Sequence, residues 1–600
     1  MDHKQLFTFT QFRLGLLICF SLIGLTKQSV LGQSVTFSER TAAAGIGPQR
    51  SEGIAVGDYD GDGFPDVYVT FAFGPNQLLR NDGNGGFTDV AAESGLALTE
   101  FDNTSTSAWG DFDNDGKLDL YIGCKQLPDR LFKNNGDGTF SNYGIPAGIG
   151  QIGWPKSINL ADFNNDGWLD IYVSNFNFEN VLLLNDGDGS FTDHTAASQA
   201  LDNGTSMGVL CFDYGQDGDQ DLLLIKDANQ PTRLYENDGN GVFTEIAAAA
   251  NIASESFGMG VDAADVNKDG WLDIYVTNLY GNFLFMAQPD GTFLETSVDA
   301  GVNDFGMGWG CSFLDLENDG LPDLYVANEY SFSPYENKLY RNNGDGTFAD
   351  ILNTEAVTNE YSSWGCMAID QDMDGRQDLL SANRGLGESL QFFRNETSES
   401  GSYLKLRLSG LESNSMGIGA AVRLVDDQGE IHYAEVTAGS GWESQKSNVL
   451  HFGLGAATSL VEASVRWPSG LVQDISDIAL NTAWTVTEGE GFEVGVADKV
   501  ASTTYGPNQS LPEELIIAPN PWKSGSGLDI NTATLPTIKT ALFIHTMDGK
   551  AIYRTSLDPY ELRSGSVAIS ASVRAKLPVG VYTLSLKNAD GIRSRRIVIQ

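Results

Sequence analysis

Between residues 35 and 395 the chain is written in short alternating or continuously apolar runs, each bounded by Gly, Asn and Asp. Runs such as DVYVT from Asp66, DLYIG from Asp119 and DIYVS from Asp170 have the pattern of half-buried or buried strands. A second run follows each time, and in most periods it closes on an amide, at Asn81, Asn134, Asn185, Asn237 and Asn342. Next comes a glycine-rich turn, NDGNGG or NNGDGT, in which Asn and Gly supply the positive φ angles of tight hairpins. Phe then opens a further run, at Phe87, Phe140, Phe191, Phe243, Phe293 and Phe348. Together with the strand ahead of each acidic segment, every period predicts four short strands, the content of one β-propeller blade.

The polar positions repeat just as regularly. A nonapeptide of the form D-x-D-x-D-G-x-x-D begins at Asp58, Asp111, Asp162, Asp213, Asp265, Asp315 and Asp370, at spacings of 53, 51, 51, 52, 50 and 55 residues. Such a period is the signature of a repeat architecture. The seventh period stops at Asn395 without its glycine turn and Phe strand, while an unpaired Phe37-Ser38-Glu39 stands ahead of the first loop. Circular closure, with the N-terminal strand completing the last blade, accounts for both ends and seals the exposed edges. An open solenoid would leave two half-repeats uncapped. The expectation is an all-β chain: a closed seven-bladed β-propeller over 35–395, followed by two small β-sandwich-like domains.

Within each acidic loop, positions 1, 3, 5 and 9 bring carboxylates toward one point, and Gly at position 6 permits the sharp turn. The candidate ligands are Asp58, Asp60, Asp62 and Asp66; Asp111, Asp113, Asp115 and Asp119; and Asp162, Asn164, Asp166 and Asp170. They continue as Asp213, Asp217 and Asp221; Asp265, Asn267, Asp269 and Asp273; Asp315, Glu317, Asp319 and Asp323; and Asp370, Asp372, Asp374 and Asp378. Numerous charged oxygen donors suit Ca2+ better than Mg2+ or zinc. Two like charges about 4 Å apart repel by roughly 1 kcal/mol even in water, so four in one loop call for a cation. Up to seven Ca2+ are expected, acting as structural staples of the blade hairpins. Gly215 removes the position 3 ligand of the fourth loop, which is expected to be the weakest site, although Asp219 adds charge nearby.

These loops account for 26 of the 80 acidic residues, against 36 Lys and Arg and a net charge of -44. The acidity excludes nucleic acid, whose binding needs a basic footprint. The loops resemble the FG-GAP/VCBS repeats of the integrin alpha-subunit propeller and its bacterial relatives. That resemblance implies Ca2+ held by the equivalent aspartates, and a role in adhesion or in recognising an extracellular glycan or protein.

From Ser402 the pattern changes. YLKLRL and AAVRLV read as strands of a small β domain over 402–493, and its GIGA, GSGWESQ, HFGLG and WPSG segments resemble the ASPIC/UnbV domain of the cartilage acidic protein family. His451 reads as a packed, hydrogen-bonded residue, and His432-Tyr433-Ala434-Glu435 departs from the family in lacking an Arg. After a linker at 494–512 the charge reverses, with 11 Lys and Arg against 7 acids in residues 511–600. APNPW, the MDGK turn, LPVGVY and a basic last strand in 513–600 resemble the C-terminal sorting domain of Bacteroidetes type IX secretion. That likeness implies a secretion machinery as partner.

Lys4 and Arg13 precede an apolar run from Leu14 to Leu25 and small residues near Gly32, the pattern of a signal peptide over 1–32. No later segment is apolar enough to span a bilayer, so the expected destination is secretion or the outer cell surface. Cys124, Cys211, Cys311 and Cys366 are expected as buried free thiols. Trp109, Trp309, Trp364, Met259 and Met307 precede acidic loops and read as packing residues, while Trp168 and Trp271 at loop position 7 could stack on sugars. No HExxH, GxSxG, P-loop or zinc spacing is present. A ligand-binding protein is therefore favoured over a glycan lyase or hydrolase, although two acids would suffice for the latter.

Overall fold

The computed structural model describes residues 35–495 apart from 100, 331–333, 353–356, 358–360, 386 and 399, and beyond 495 the backbone of seven strands. The signal segment and most of the linker lie outside the described residues. Two compact units divide the chain, residues 1–500 and 501–600.

The first unit contains seven four-stranded antiparallel sheets that follow the repeat. Sheet 1 runs through Ile54–Gly57, Asp66–Val69, Gln77–Asn81 and Phe87–Asp89. Sheets 2 to 6 begin at Thr104–Gly110, Pro155–Ala161, Ser206–Phe212, Gly258–Ala264 and Gly308–Leu314 and keep the same plan. Sheet 7 consists of Ser363–Ile369, Asp378–Asn383 and Gln391–Asn395, and its fourth strand is Phe37–Glu39 from the N-terminal end, with Phe37 opposite Asn395.

Burial explains the strand sequences. First strands such as TSTSAWG and SMGVLCF are buried at every position, whereas the Phe strands bury only their leading ring. Close approach of neighbouring first strands requires glycine. A Cβ on Gly260 would lie 2.4 Å from the Trp309 carbonyl oxygen, and one on Gly310 2.5 Å from that of Trp364. The last sheet meets the first in the same way, since a Cβ on Gly365 would lie 2.8 Å from the Glu52 carbonyl oxygen.

Residues 402–495 form two further sheets within the same unit. One orders Val449–Gly455, Ser402–Ser409, Thr482–Thr487 and Phe492–Val494, the middle pair being parallel. The other orders Ile431–Glu435, Ala421–Asp426, Leu460–Arg466 and Val472–Asp474. The core of these sheets is continuous with that of sheets 1 to 3, Leu406 and Val422 belonging to one apolar cluster with Trp109 and Leu160. In the second unit, seven strands between Leu515 and Ile599 make a three-stranded and a four-stranded sheet.

Candidate metal centres and a buried plug among the first strands

Each acidic loop joins the first strand of a sheet to the second. In all seven, the position 1 carboxylate accepts the backbone N–H of position 5 at 2.9–3.1 Å and that of the position 6 glycine at 2.7–3.0 Å. The glycines have φ between 79° and 105°, as the sequence requires. Position 4 is also left-handed in every loop, even where it is Gln216, Lys268 or Met373. A long side chain in that conformation costs about 1 kcal/mol, which the loop must offset.

Position 9 serves the hairpin as well as the loop. Asp66 accepts the Asn81 N–H at 2.7 Å with one oxygen and the Tyr59 N–H at 3.1 Å with the other, and Asp170, Asp221, Asp273, Asp323 and Asp378 do the same. Burial raises these carboxyls despite the amide hydrogen bonds; Asp119, Asp221 and Asp273 reach about 8.

The amide that closes each third strand is a latch between sheets. Asn134 donates to the Leu118 carbonyl of its own sheet at 3.1 Å and to the Tyr59 carbonyl of the preceding sheet at 2.9 Å. Asn185, Asn237, Asn342 and Asn395 reach Phe112, Phe163, Val266 and Leu316 in turn, and Asn81 reaches Gln371 of sheet 7 at 2.7 Å. Ala287 breaks the series in sheet 5. We expect Asn134→Ala to destabilise by about 1–3 kcal/mol, because two buried carbonyls lose a donor. Ala287→Asn should stabilise by about 0.5–1.5 kcal/mol; denaturant midpoints of the two variants measure both effects.

Carboxylate oxygens converge within 4.8 Å in three loops: Asp58, Asp60 and Asp66; Asp111, Asp113 and Asp115; Asp370, Asp372 and Asp374. Asp62, Asp119 and Asp378 stand outside these groups. In loops 3 and 5 the Asn164 and Asn267 amides instead donate to Asp166 and Asp269, at 2.9 and 2.8 Å. In loop 6, Glu317 and Asp319 crowd the buried Asp315, which is raised to about 8, mainly by burial.

Protein cations share the task of offsetting the loop charge. Lys133 pairs with Asp113 and Arg394 with Asp372; Arg341 lies 3.7 Å from Glu317, and Arg80 lowers Asp60 electrostatically against its burial. Each of these cations precedes a strand-end amide. Where position 3 is Asn164, Gly215 or Asn267, the corresponding residue is Leu184, Glu236 or Met286. Loops 1, 2, 6 and 7 thus combine four acids with a cation at that position, to which loops 2 and 7 add Lys117 on Asp115 and Arg376 on Asp374, while loops 3 and 5 have three acids and no cation there. Acids outnumber the neighbouring cations in each of these six loops. Asp113 Oδ1 is buried and accepts no hydrogen bond. This all-oxygen donor set fits a hard divalent cation.

The following domain adds cations from outside. Lys405 contacts Asp370 at 2.9 Å, Arg407 lies 3.7 Å from Asp58, and Arg466 contacts Asp213 at 2.5 Å. Ser415 donates to Asp111 at 2.5 Å. The fourth loop, short of a ligand at Gly215, thereby receives a guanidinium. His451 is packed as expected: it stacks on Tyr403, bonds Asn318 at 2.7 Å, and is lowered to about 4, chiefly by burial.

The GSGWESQ segment has a position that its composition did not suggest. Ala438 to Lys446 runs among the first strands of the sheets. Gln445 accepts the Val56 N–H and donates to the Ile54 carbonyl through its backbone, and its side-chain amide bonds both Trp109 N–H and Trp109 carbonyl at 2.7 and 2.9 Å. Gly441 bonds Val261, Ala438 bonds Leu160, and Lys446 pairs with Asp262 at 3.2 Å. Trp442 is fully buried against Met207 and Met259, with Trp309 at 4.9 Å and Trp364 at 6.3 Å, and those two rings stack on each other at 4.2 Å. Trp109 is core, as read from sequence, while Trp309 and Trp364 pack on the plug and keep a half-buried edge. Trp168 and Trp271 are half-buried. All four described cysteines are free and buried.

Fold and site together define an all-β, propeller-like chain of FG-GAP-like repeats with acidic loops. The FG-GAP-like repeat profile matches residues 58–122, 125–173, 213–276 and 315–381, and the ASPIC and UnbV profile matches 410–492. Cartilage acidic protein 1 of Mus musculus is a homologue, 27% identical over 461 residues covering 70% of this chain and 71% of that protein; the Homo sapiens protein is 26% identical over the same length, covering 70% and 69%. Among solved structures, a lectin of Agrocybe aegerita that recognises non-reducing terminal N-acetylglucosamine aligns at 18% identity over 51% of this chain and 80% of its own, with a TM-score of 0.34. No described helix is long and apolar enough to cross a membrane.

Proposed function

We propose that this is a secreted or cell-surface binding protein: a closed seven-bladed β-propeller whose acidic loops hold calcium as structural staples and whose role is recognition of an extracellular glycan or protein. The observation that carries the calcium reading is the convergence of three carboxylate oxygens within 4.8 Å in loops 1, 2 and 7, each of which holds more acids than the cations beside it. Closure is supported by the latch from Asn81 to Gln371, which links the last repeat to the first. Export is supported by the apolar N-terminal run and by the sorting-domain likeness of 513–600, through which the secretion machinery would act.

Held in these loops, Ca2+ would supply charge neutralisation and nothing catalytic. Positions 1, 3 and 5 would contribute carboxylate or amide oxygens, and position 9 would tie the ion to the second and third strands. An array of glycans and matrix proteins probed with the full chain in millimolar calcium should give hits that EDTA abolishes. Turnover of a bound glycan would instead favour a lyase or hydrolase, and calcium-independent hits would sink the staple as a requirement for binding.

A further inference from the structure

The ends of the sheets remote from the acidic loops carry the links between second and third strands and the segments entering each first strand, because neighbouring strands alternate in direction. Aromatic rings gather there. Trp154 lies edge-on to Phe176 at 5.0 Å, and the stacked Trp309 and Trp364 keep half-buried edges. Three cations stand among them. Lys125 Nζ sits 3.6 Å over the Trp154 ring, Lys156 lies 5.1 Å from the same ring, and Arg384 lies 4.1 Å over Trp364. Two of the three are committed: Lys156 pairs with the plug residue Glu443 at 2.6 Å, and Arg384 with Glu52 at 2.7 Å. Lys125 has no ion pair among the described residues and is half-buried, and burial together with Lys156 and Arg384 lowers it.

We infer that this hub mouth, floored by Trp442 and Glu443 of the ASPIC/UnbV-like domain, is a binding site for an acidic saccharide, with Lys125 holding its carboxylate or sulfate and the half-buried indole edges of Trp309 and Trp364 lying against its ring. The stacked indoles offer their half-buried edges as an apolar wall for a sugar ring, and Lys125, which lies over the Trp154 ring and pairs with no carboxylate among the described residues, takes the anion. The buried pairs Lys156–Glu443 and Arg384–Glu52 fix the neighbouring rings and leave Lys125 as the free charge. On this account the domain after the repeats is part of the propeller's recognition surface, since the plug is the floor on which Trp309, Trp364 and Lys156 rest. The inference rests on the reading of the chain as a binding protein and narrows its ligand.

The test uses the full chain in millimolar calcium against three sets of oligosaccharides: uronate-bearing, sulfated, and neutral. Binding to one or both acidic sets is expected, weakened about tenfold by Lys125→Ala and largely restored by Lys125→Arg, with unchanged melting temperatures. Preference between the uronate and sulfated sets identifies the anion. Equal binding of neutral sugars overturns the site. So does acidic binding that Lys125→Ala leaves intact, which would point to the basic 511–600 region; either result leaves the binding-protein reading standing. No saccharide binding at all overturns the site together with the glycan branch of that reading, leaving a protein ligand.

Discussion

Excess EDTA is expected to lower the melting temperature of the chain by about 5–15 °C, with full recovery on returning millimolar calcium. Extracellular calcium modules bind at about 0.1–1 mM, so at millimolar calcium each loop that binds as proposed would gain roughly 0.4–1.4 kcal/mol by mass action, and seven together about 3–10 kcal/mol. That range is comparable to the whole net stability of a domain. Without the ion, the loops keep their excess of acids over cations while position 4 remains left-handed at Gln216, Lys268 and Met373. The loops should respond unequally. Asp115→Asn removes a converging ligand from a full set and should cost about 1 kcal/mol of the calcium-dependent part. Asp217→Asn should cost least, because Arg466 already occupies Asp213 there.

The sign of the pH dependence gives a second readout. Burial raises Asp111, Asp162 and Asp265 to about 6 and Asp119, Asp221 and Asp273 to about 8 in the ion-free protein. Between the unfolded carboxyl range and pH 8 the folded state then holds protons that the unfolded chain has released, so ion-free stability falls as pH rises through that window. Calcium competes with those protons, so its stabilisation should grow over the same window. A melting temperature insensitive to EDTA at pH 8 would remove the staple.

What was legible in the sequence followed from periodicity. Seven loops in phase, the six Phe residues at 87, 140, 191, 243, 293 and 348, and the orphan Phe37 are local patterns that need no knowledge of neighbours, and Phe37 does pair with Asn395. The strand-end amides were equally visible. Their purpose was not, because the carbonyl that Asn134 reaches belongs to Tyr59, 75 residues earlier. The cations at Arg80, Lys133, Arg341 and Arg394 could have been found by asking what replaces them where position 3 is not an acid. The plug could not: GSGWESQ has the composition of an exposed turn, and its partners lie up to 390 residues away, as in Ile54 and Ser444. A polar, glycine-rich segment becomes interior only when surrounding strands satisfy its backbone, and no local pattern reports that.

Trp442→Ala is expected to be the most damaging single substitution outside the loops, destabilising by about 3–5 kcal/mol, the usual range for emptying a fully buried indole. Relaxation cannot fill the void cheaply. Trp309 and Trp364 are fixed by stacking on each other, and Trp364 Nε1 is held by Glu329 at 3.0 Å. Met207 and Met259 are the adaptable neighbours, which places the cost within that range rather than above it. The loss should also weaken cohesion between the repeats and the domain after them, since the same segment bonds Ile54, Trp109, Leu160 and Val261. Trp467→Ala, a comparably buried indole within that domain, makes the control. Both variants should lower the melting temperature, but only Trp442→Ala should separate one calorimetric transition into two and open the junction near residues 396–401 to protease while calcium is present. If Trp442→Ala melts within about 1 °C of the parent in a single transition, the plug is a passenger in the hub and the repeats hold together without it.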